Sequence, residues 1–163
     1  MNNKFQEAVK KTCDISNGYE NGLKALGNHS NKINAENNDF INGSVDIDKN
    51  TKSIYPNCNR WDYAISYNYE VYFIEVHPAC TSEVQTVLDK LNWLKDWLKS
   101  SAPEINKLKA KSFPYIWLFT KRFNILKTSS KYRILSKNGL KPIKKLNLPN
   151  NNKSIKNFKK NNE

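Results

Sequence analysis

Residues 60–79 read RWDYAISYNYEVYFIEVHPA, and they predict two β-strands folded back on each other. Aromatic and β-branched side chains dominate the stretch, as strands favour. With the turn centred on Asn68 and Tyr69, Tyr67 faces Glu70, Asp62 falls opposite Glu75, and Arg60 falls opposite His77. Directly opposed residues share a face of the sheet, and so do residues two apart along a strand. One face then collects Arg60, Asp62, Glu75 and His77. The other carries Trp61, Tyr63, Ile65, Tyr72, Ile74 and Val76 and reads as a core face. Charges set into apolar strands cost free energy unless something pairs with them, so the polar face is where chemistry is expected. Asn-Tyr is not a strong turn dipeptide, and a slip of one residue would move Asp62 to the opposite face.

On the N-terminal side, residues 4–13 predict an amphipathic helix with Phe5, Ala8, Val9 and Cys13 on one face. A second short helix is expected from Tyr19 to Leu26, stopping at Gly27. The polar segment 28–38 reads as a loop with His29 exposed. Phe40 to Asp48 reads as a short strand interrupted at Asn42-Gly43, with Asp46 and Asp48 on one face and Asp46 beside Asp62.

On the C-terminal side, Pro78 is expected to end the second strand of the hairpin. Ser82 with Gln85 fits a capping box. A helical stripe follows at Val84, Val87, Leu88, Leu91, Leu94, Trp97 and Leu98, with Lys90, Lys95 and Lys99 on its polar side. Ser112 to Thr120 is a short, Pro-containing apolar run and predicts a buried strand. Weaker signals mark a short element at Ser129–Ser136 and an edge strand within Leu140–Leu148. The order helix, strand, strand, strand, helix, strand predicts one α/β domain over residues 1–148, with a mixed central sheet flanked by helices. Residues 149–163 are Asn- and Lys-rich with little to bury, and are expected to be a disordered basic tail.

Charge is unevenly placed. Residues 1–104 hold 11 Lys/Arg and 14 Asp/Glu, whereas residues 105–163 hold 16 Lys/Arg and one acid, Glu163. That asymmetry points to a polyanionic partner, DNA or RNA, held by basic residues 105–163. No apolar run reaches the roughly 18 residues that a membrane span needs, so no membrane partner is expected. The first residues lack the apolar core of a secretory signal. Three cysteines, Cys13, Cys58 and Cys80, form no framework spacing and read as reduced thiols of a cytoplasmic protein.

Asp62 in RWDYAI, Glu75-Val76-His77 in YFIEVHPA, and the following helix SEVQTVLDKLNWLKDWL together resemble the restriction-endonuclease-like superfamily, whose motif is written PD-(D/E)xK. The resemblance covers roughly residues 5–120 in element order and three residues in motif. It implies a restriction-endonuclease-like αβββαβ fold and a divalent-metal nuclease. Asp62 and Glu75 would be the metal-binding acids, Mg²⁺ (or Mn²⁺) the ion, and the Val76 carbonyl a further ligand. Two departures stand out. His77 occupies the place of the motif lysine, and Trp61 that of the proline before the first acid. Histidine can act as a base near neutral pH where lysine is a fixed charge, and Lys90 on the next helix is the candidate for the missing charge.

Other readings stay open. The same fold could bind nucleic acid or a protein without cutting, in which case Asp62 and Glu75 should be paired with Arg60 or lysines. A homodimer would suit duplex cleavage. His77 and Cys80 offer only one close pair of zinc ligands, whereas structural zinc takes four ligands. No G-x-S-x-G elbow and no P-loop occurs.

Overall fold

The computed structural model describes residues 2–150. Most of the expected tail therefore lies outside the described residues. Its first two positions belong to the fold: the Tyr67 hydroxyl donates to the Pro149 carbonyl (3.1 Å), and the Asn150 N–H donates to Glu36 (2.7 Å).

In chain order the elements are α1 (Lys4–Lys11), β1 (Tyr19–Glu20), β2 (Ile33–Ala35), β3 (Ile41–Asp46), α2 (Ile47–Thr51), β4 (Tyr63–Tyr67), β5 (Glu70–Cys80), α3 (Val84–Ser100), α4 (Pro103–Lys107), β6 (Tyr115–Asn124), α5 (Ser130–Lys137), β7 (Pro142–Ile143) and β8 (Leu146–Leu148). Six strands form one mixed sheet in the order β1-β3-β4-β5-β6-β7. Pairing is antiparallel from β1 to β5 and parallel from β5 to β7. A separate parallel ribbon joins β2 to β8. The expected α/β architecture is thus present, with β5 near the middle of the sheet and α3 connecting it to its parallel neighbour β6.

The hairpin has the expected register, Tyr67 opposite Glu70 and Tyr63 opposite Ile74. Asn68 and Tyr69 both hold positive φ (49° and 67°), as a type I′ turn demands. Tertiary contacts supply what the dipeptide lacks. The Asn42 side-chain oxygen accepts from the Tyr69 N–H (2.9 Å) and the Ser66 hydroxyl (3.2 Å), and the Asn68 N–H donates to the Phe40 carbonyl (2.8 Å). Left-handed backbone costs an L-residue about 1 kcal/mol, and Tyr69 is half exposed. Tyr69→Gly is therefore expected to stabilise the protein by ~1 kcal/mol, read as a higher urea midpoint at unchanged slope. A lower midpoint would mean that the tyrosine ring contributes more than the turn strain costs.

Just upstream, Gly43 (φ 140°) sits at a register shift in β3, and a Cβ there would lie 2.4 Å from the Tyr19 ring. The ring needs that space, because its hydroxyl donates to the Asn42 carbonyl (2.9 Å). Only glycine lets Tyr19 cover the strand so closely.

Both faces of the sheet are buried. On one, Phe5 and Val9 of α1, Leu91, Leu94 and Leu98 of α3, and Ile105 of α4 join a core that includes Ala64, Phe73 and Trp117. On the other, Leu26, Ile33, Leu146 and Leu148 join Ile65, Tyr72, Ile74 and Leu118. The expectation of one polar and one apolar face is corrected accordingly. Glu75 lies on the helix-covered face and is wholly buried. Trp61 also enters the helix-side core rather than joining Tyr63, because it precedes β4 and strand alternation does not reach it.

Four local expectations are corrected as well. Tyr19–Leu26 is not a helix: Tyr19 and Glu20 pair with β3, Gly22 turns the chain at φ 57°, and a 3₁₀ segment runs Lys24–Lys32. Asp46 and Asp48 do not share a strand face, because Asp46 caps α2, which already contains Asp48. β5 continues through Pro78 to Cys80, with an irregularity after Pro78 that absorbs its missing N–H. The capping box at Ser82 does not form: Thr81–Glu83 is a 3₁₀ turn, and the Gln85 amide donates to Asp89 (2.9 Å).

Candidate active site

The site begins where the chain enters β4. The Asp62 carbonyl accepts from the N–H groups of Ile47 (2.8 Å) and Asp48 (3.2 Å), which ties the start of β4 to the start of α2. Trp61, wholly buried beside it, anchors the same point in the core. Asp62 and Glu75 then clamp each other's backbone. The Asp62 N–H donates to Glu75 Oε2 (3.1 Å), and the Val76 N–H donates to Asp62 Oδ2 (3.0 Å). The hairpin ladder is thus extended past the end of β4 by two side chains, and the acids stand opposite each other as expected.

Their remaining oxygens converge on one cation. Lys90 Nζ lies 3.1 Å from Asp62 Oδ1 and also donates to Glu75 Oε1. Helical periodicity explains the reach. Val87, Leu91 and Leu94 bury α3 against the sheet, and Lys90 emerges at the border of that stripe, above β5. Its aliphatic stem runs along apolar surface while the ammonium meets the acids.

Electrostatics follow from burial. Burial, then the neighbouring Asp62 charge, pushes the Glu75 carboxyl well above the usual carboxylate range, against the pull of Lys90. Burial works to lower the pKa of Lys90, but Glu75 and Asp62 together raise it, so the ammonium stays charged. Two acids facing one lysine leave an excess of negative charge. Tyr63, next in sequence, is pushed up to about 12 by burial and then by Asp46, Asp62 and Glu75. Asp46 is also raised, by burial first and with Asp48 and Asp62 contributing, although its bond from the Lys49 N–H opposes this.

His77 stands two residues along β5. Its Nε2 lies 2.6 Å from Glu83 Oε2, and its Nδ1 lies 3.8 Å from Glu75 Oε1. A carboxylate only accepts hydrogen bonds, so the ring proton shared with Glu83 sits on Nε2, and in a neutral imidazole the lone pair would then fall on Nδ1, toward Glu75. The Trp117 indole donates to the His77 carbonyl (2.9 Å) and steadies the strand there.

Of the sequence candidates, Asp62, Glu75, His77 and Lys90 come together, and Asp46 lies close enough to interact electrostatically with Asp62. Arg60 does not join them. It lies outside β4, bonds Asp48 (2.8 Å) and the carbonyls of Tyr55, Pro56 and Cys58, and closes its own loop. His29 is corrected from an exposed loop residue to a half-buried one, with Nδ1 3.2 Å from the Tyr63 hydroxyl on the other face of the sheet. Glu83 was missed because its partner lies across the β5–α3 junction, where the capping reading centred on Ser82. Among the described residues no three His, Cys, Asp or Glu side chains gather as a metal-ligand group, and no helix is long and apolar enough to cross a membrane.

The chemistry available here is that of two hard carboxylate oxygens aimed at one cation, beside an imidazole held through Nε2 by Glu83 with Nδ1 toward Glu75. Asp62 and His77 are about one-fifth exposed, whereas Glu75 is sealed, so access runs over Asp62 and His77. Comparison with protein-family models, curated proteins and solved structures yields no match.

Proposed function

We propose that this protein is a divalent-metal-dependent nuclease of the restriction-endonuclease-like type, hydrolysing phosphodiester bonds of nucleic acid. One observation carries the reading: acids from two adjacent strands converge, across a clamped hairpin, on a single cation position beside a histidine. The order α1, β3, β4, β5, α3, β6 supports it, because helix-strand-strand-strand-helix-strand is the core order of that superfamily.

The donor set fits Mg²⁺ or Mn²⁺. Such ions prefer oxygen, accept one or two protein carboxylates, and keep several waters. Asp62 Oδ1 and Glu75 Oε1 are the oxygens not already accepting a backbone N–H, and Lys90 shows that both reach one positive centre. When bound, the ion would polarise the phosphodiester and lower the pKa of a coordinated water. His77 Nδ1 takes the proton from the attacking water, with Glu83 steadying the imidazolium that forms. The water oxygen bonds to phosphorus as the bond to the leaving oxygen breaks. With an ion on those two oxygens the Lys90 ammonium would have to swing off them, and from there it would supply the fixed positive charge that the superfamily places at the position of His77, stabilising charge that builds on the phosphoryl oxygens. His77→Ala is expected to lower the cleavage rate ~10²-fold without altering metal affinity; an unchanged rate would remove His77 from the mechanism.

A second reading rests on the same ion pair. Lys90 already engages both acids, as a non-catalytic module that merely binds nucleic acid would require. Titrating Mg²⁺ or Mn²⁺ against a mixed panel of DNA and RNA separates the two. Cleavage that needs the ion and stops with a chelator is the expected result. Salt-sensitive binding without cleavage would favour the binding module. Neither binding nor cleavage would direct attention to a protein partner.

A further inference from the structure

Beyond the acids, the same face of the sheet carries an aromatic and basic cleft. Phe119 pairs with His77 in the β5–β6 register, so the two side chains share a face. From Phe119 a cleft of ≈ 520 Å³ extends past Phe123 and Tyr132 to β7 and the lysines after it. The rings are half-buried. Phe119 and Phe123 centroids lie 5.8 Å apart, and Phe123 and Tyr132 meet edge to face at 6.4 Å. Lys127, Lys144 and Lys145 stand exposed along the walls. Among the described residues no carboxylate lines the cleft, and residues 105–162 contain no Asp or Glu in sequence.

We propose that this cleft binds an unpaired stretch of a single-stranded nucleic acid, its bases on Phe123 and Tyr132 and its phosphates on Lys127, Lys144 and Lys145. Charge decides the class of ligand: the exposed ammonium groups of Lys127, Lys144 and Lys145 around a concave surface favour a polyanion. The rings decide its form. Bases of a duplex are already stacked on each other, whereas an unpaired base has a free face that an aromatic side chain can cover. Continuity with His77 through Phe119 would carry the strand toward Asp62 and Glu75. The inference deepens the nuclease reading by naming single strands as its substrate, and it rests on that reading.

The test is fluorescence anisotropy of the full chain carrying Glu75→Gln, so that binding is read without cleavage. Labelled 15-mers of single-stranded DNA, single-stranded RNA and duplex DNA serve as probes, over a series of salt concentrations. Expected are tighter binding of single strands than of duplex, and a ~10–100-fold loss for single strands in Phe123→Leu with Tyr132→Leu, duplex affinity being unchanged. Lys144→Gln with Lys145→Gln, at exposed positions that leave the core untouched, is expected to flatten the salt dependence by roughly 1 to 2 units of slope. Equal affinity for single strands and duplex, or an unaltered salt slope in the lysine variant, would overturn the cleft. Cleavage by the wild-type chain that is indifferent to all four substitutions would overturn it too, and would leave the nuclease reading standing. Loss of single-strand binding in the variants of a wild-type chain that cuts nothing would sustain the cleft and sink the nuclease.

Discussion

Glu75→Gln is expected to abolish the metal-dependent cleavage proposed above, with a loss of at least ~10³-fold, and to leave the fold intact. Glutamine keeps the volume of a side chain that has no solvent exposure, and its carbonyl oxygen can still accept from the Asp62 N–H. What disappears is the negative oxygen aimed at the cation position. Burial pushes the wild-type carboxyl toward its neutral form, so a neutral amide avoids the desolvation of a charge, while its NH2 group takes the place of the oxygen that accepted from Lys90. Lys90 keeps Asp62 as a partner in the variant. Cleavage rates beside thermal midpoints measure the outcome. An unchanged midpoint with lost cleavage is the expected pair of results. Full cleavage by a folded Glu75→Gln protein would remove Glu75 from the chemistry and the nuclease reading with it.

Lys90→Met has the largest expected effect on stability, about 3–5 kcal/mol. Methionine retains most of the aliphatic stem at the border of α3 but withdraws the ammonium shared by Asp62 and Glu75. Two acids, one of them sealed from water, are then left facing each other. Breaking a buried pair by removing one partner costs far more than the pair contributes, because the surviving charge is stranded. For a chain of this size the loss corresponds to a fall in melting midpoint on the order of 10 °C. Divalent metal should reverse part of it. If the two free oxygens form a cation site, Mn²⁺ takes up the role of the ammonium and raises the midpoint of Lys90→Met more than that of the wild type. A variant that melts early and ignores Mn²⁺ would mark the triad as a structural ion pair.

The hairpin was legible because its signals are local. Alternating aromatic and β-branched residues set the strand period, and the spacing from Tyr67 to Glu70 set the register, which together placed Asp62 opposite Glu75. Lys90 was legible for a similar reason. The apolar stripe on α3 is strongly periodic, and its border has to face the strand that precedes it. Less of the surroundings could be read. Asp46 carried a signal that strand alternation obscured, for an Asp placed before Ile47-Asp48-Lys49 is also a helix cap. The bonds from Glu83 to His77, His29 to Tyr63 and Asp48 to Arg60 join segments whose relative placement no local pattern encodes.

By itself, the order of residues determined the central hairpin and its register, the long helix α3, the strand β6 and the gathering of positive charge in the last third of the chain, because propensity, periodicity and charge are properties of neighbours along the backbone. Tertiary structure decided the rest. It chose Lys90 over Arg60 as the partner of the acids, sealed Glu75 beneath α3, held the Asn68-Tyr69 turn with Asn42, and covered the second face with the β2–β8 ribbon. Each of these depends on how far apart in space two distant segments come to lie. Desolvation and Coulomb energies depend on that separation, and sequence distance does not report it.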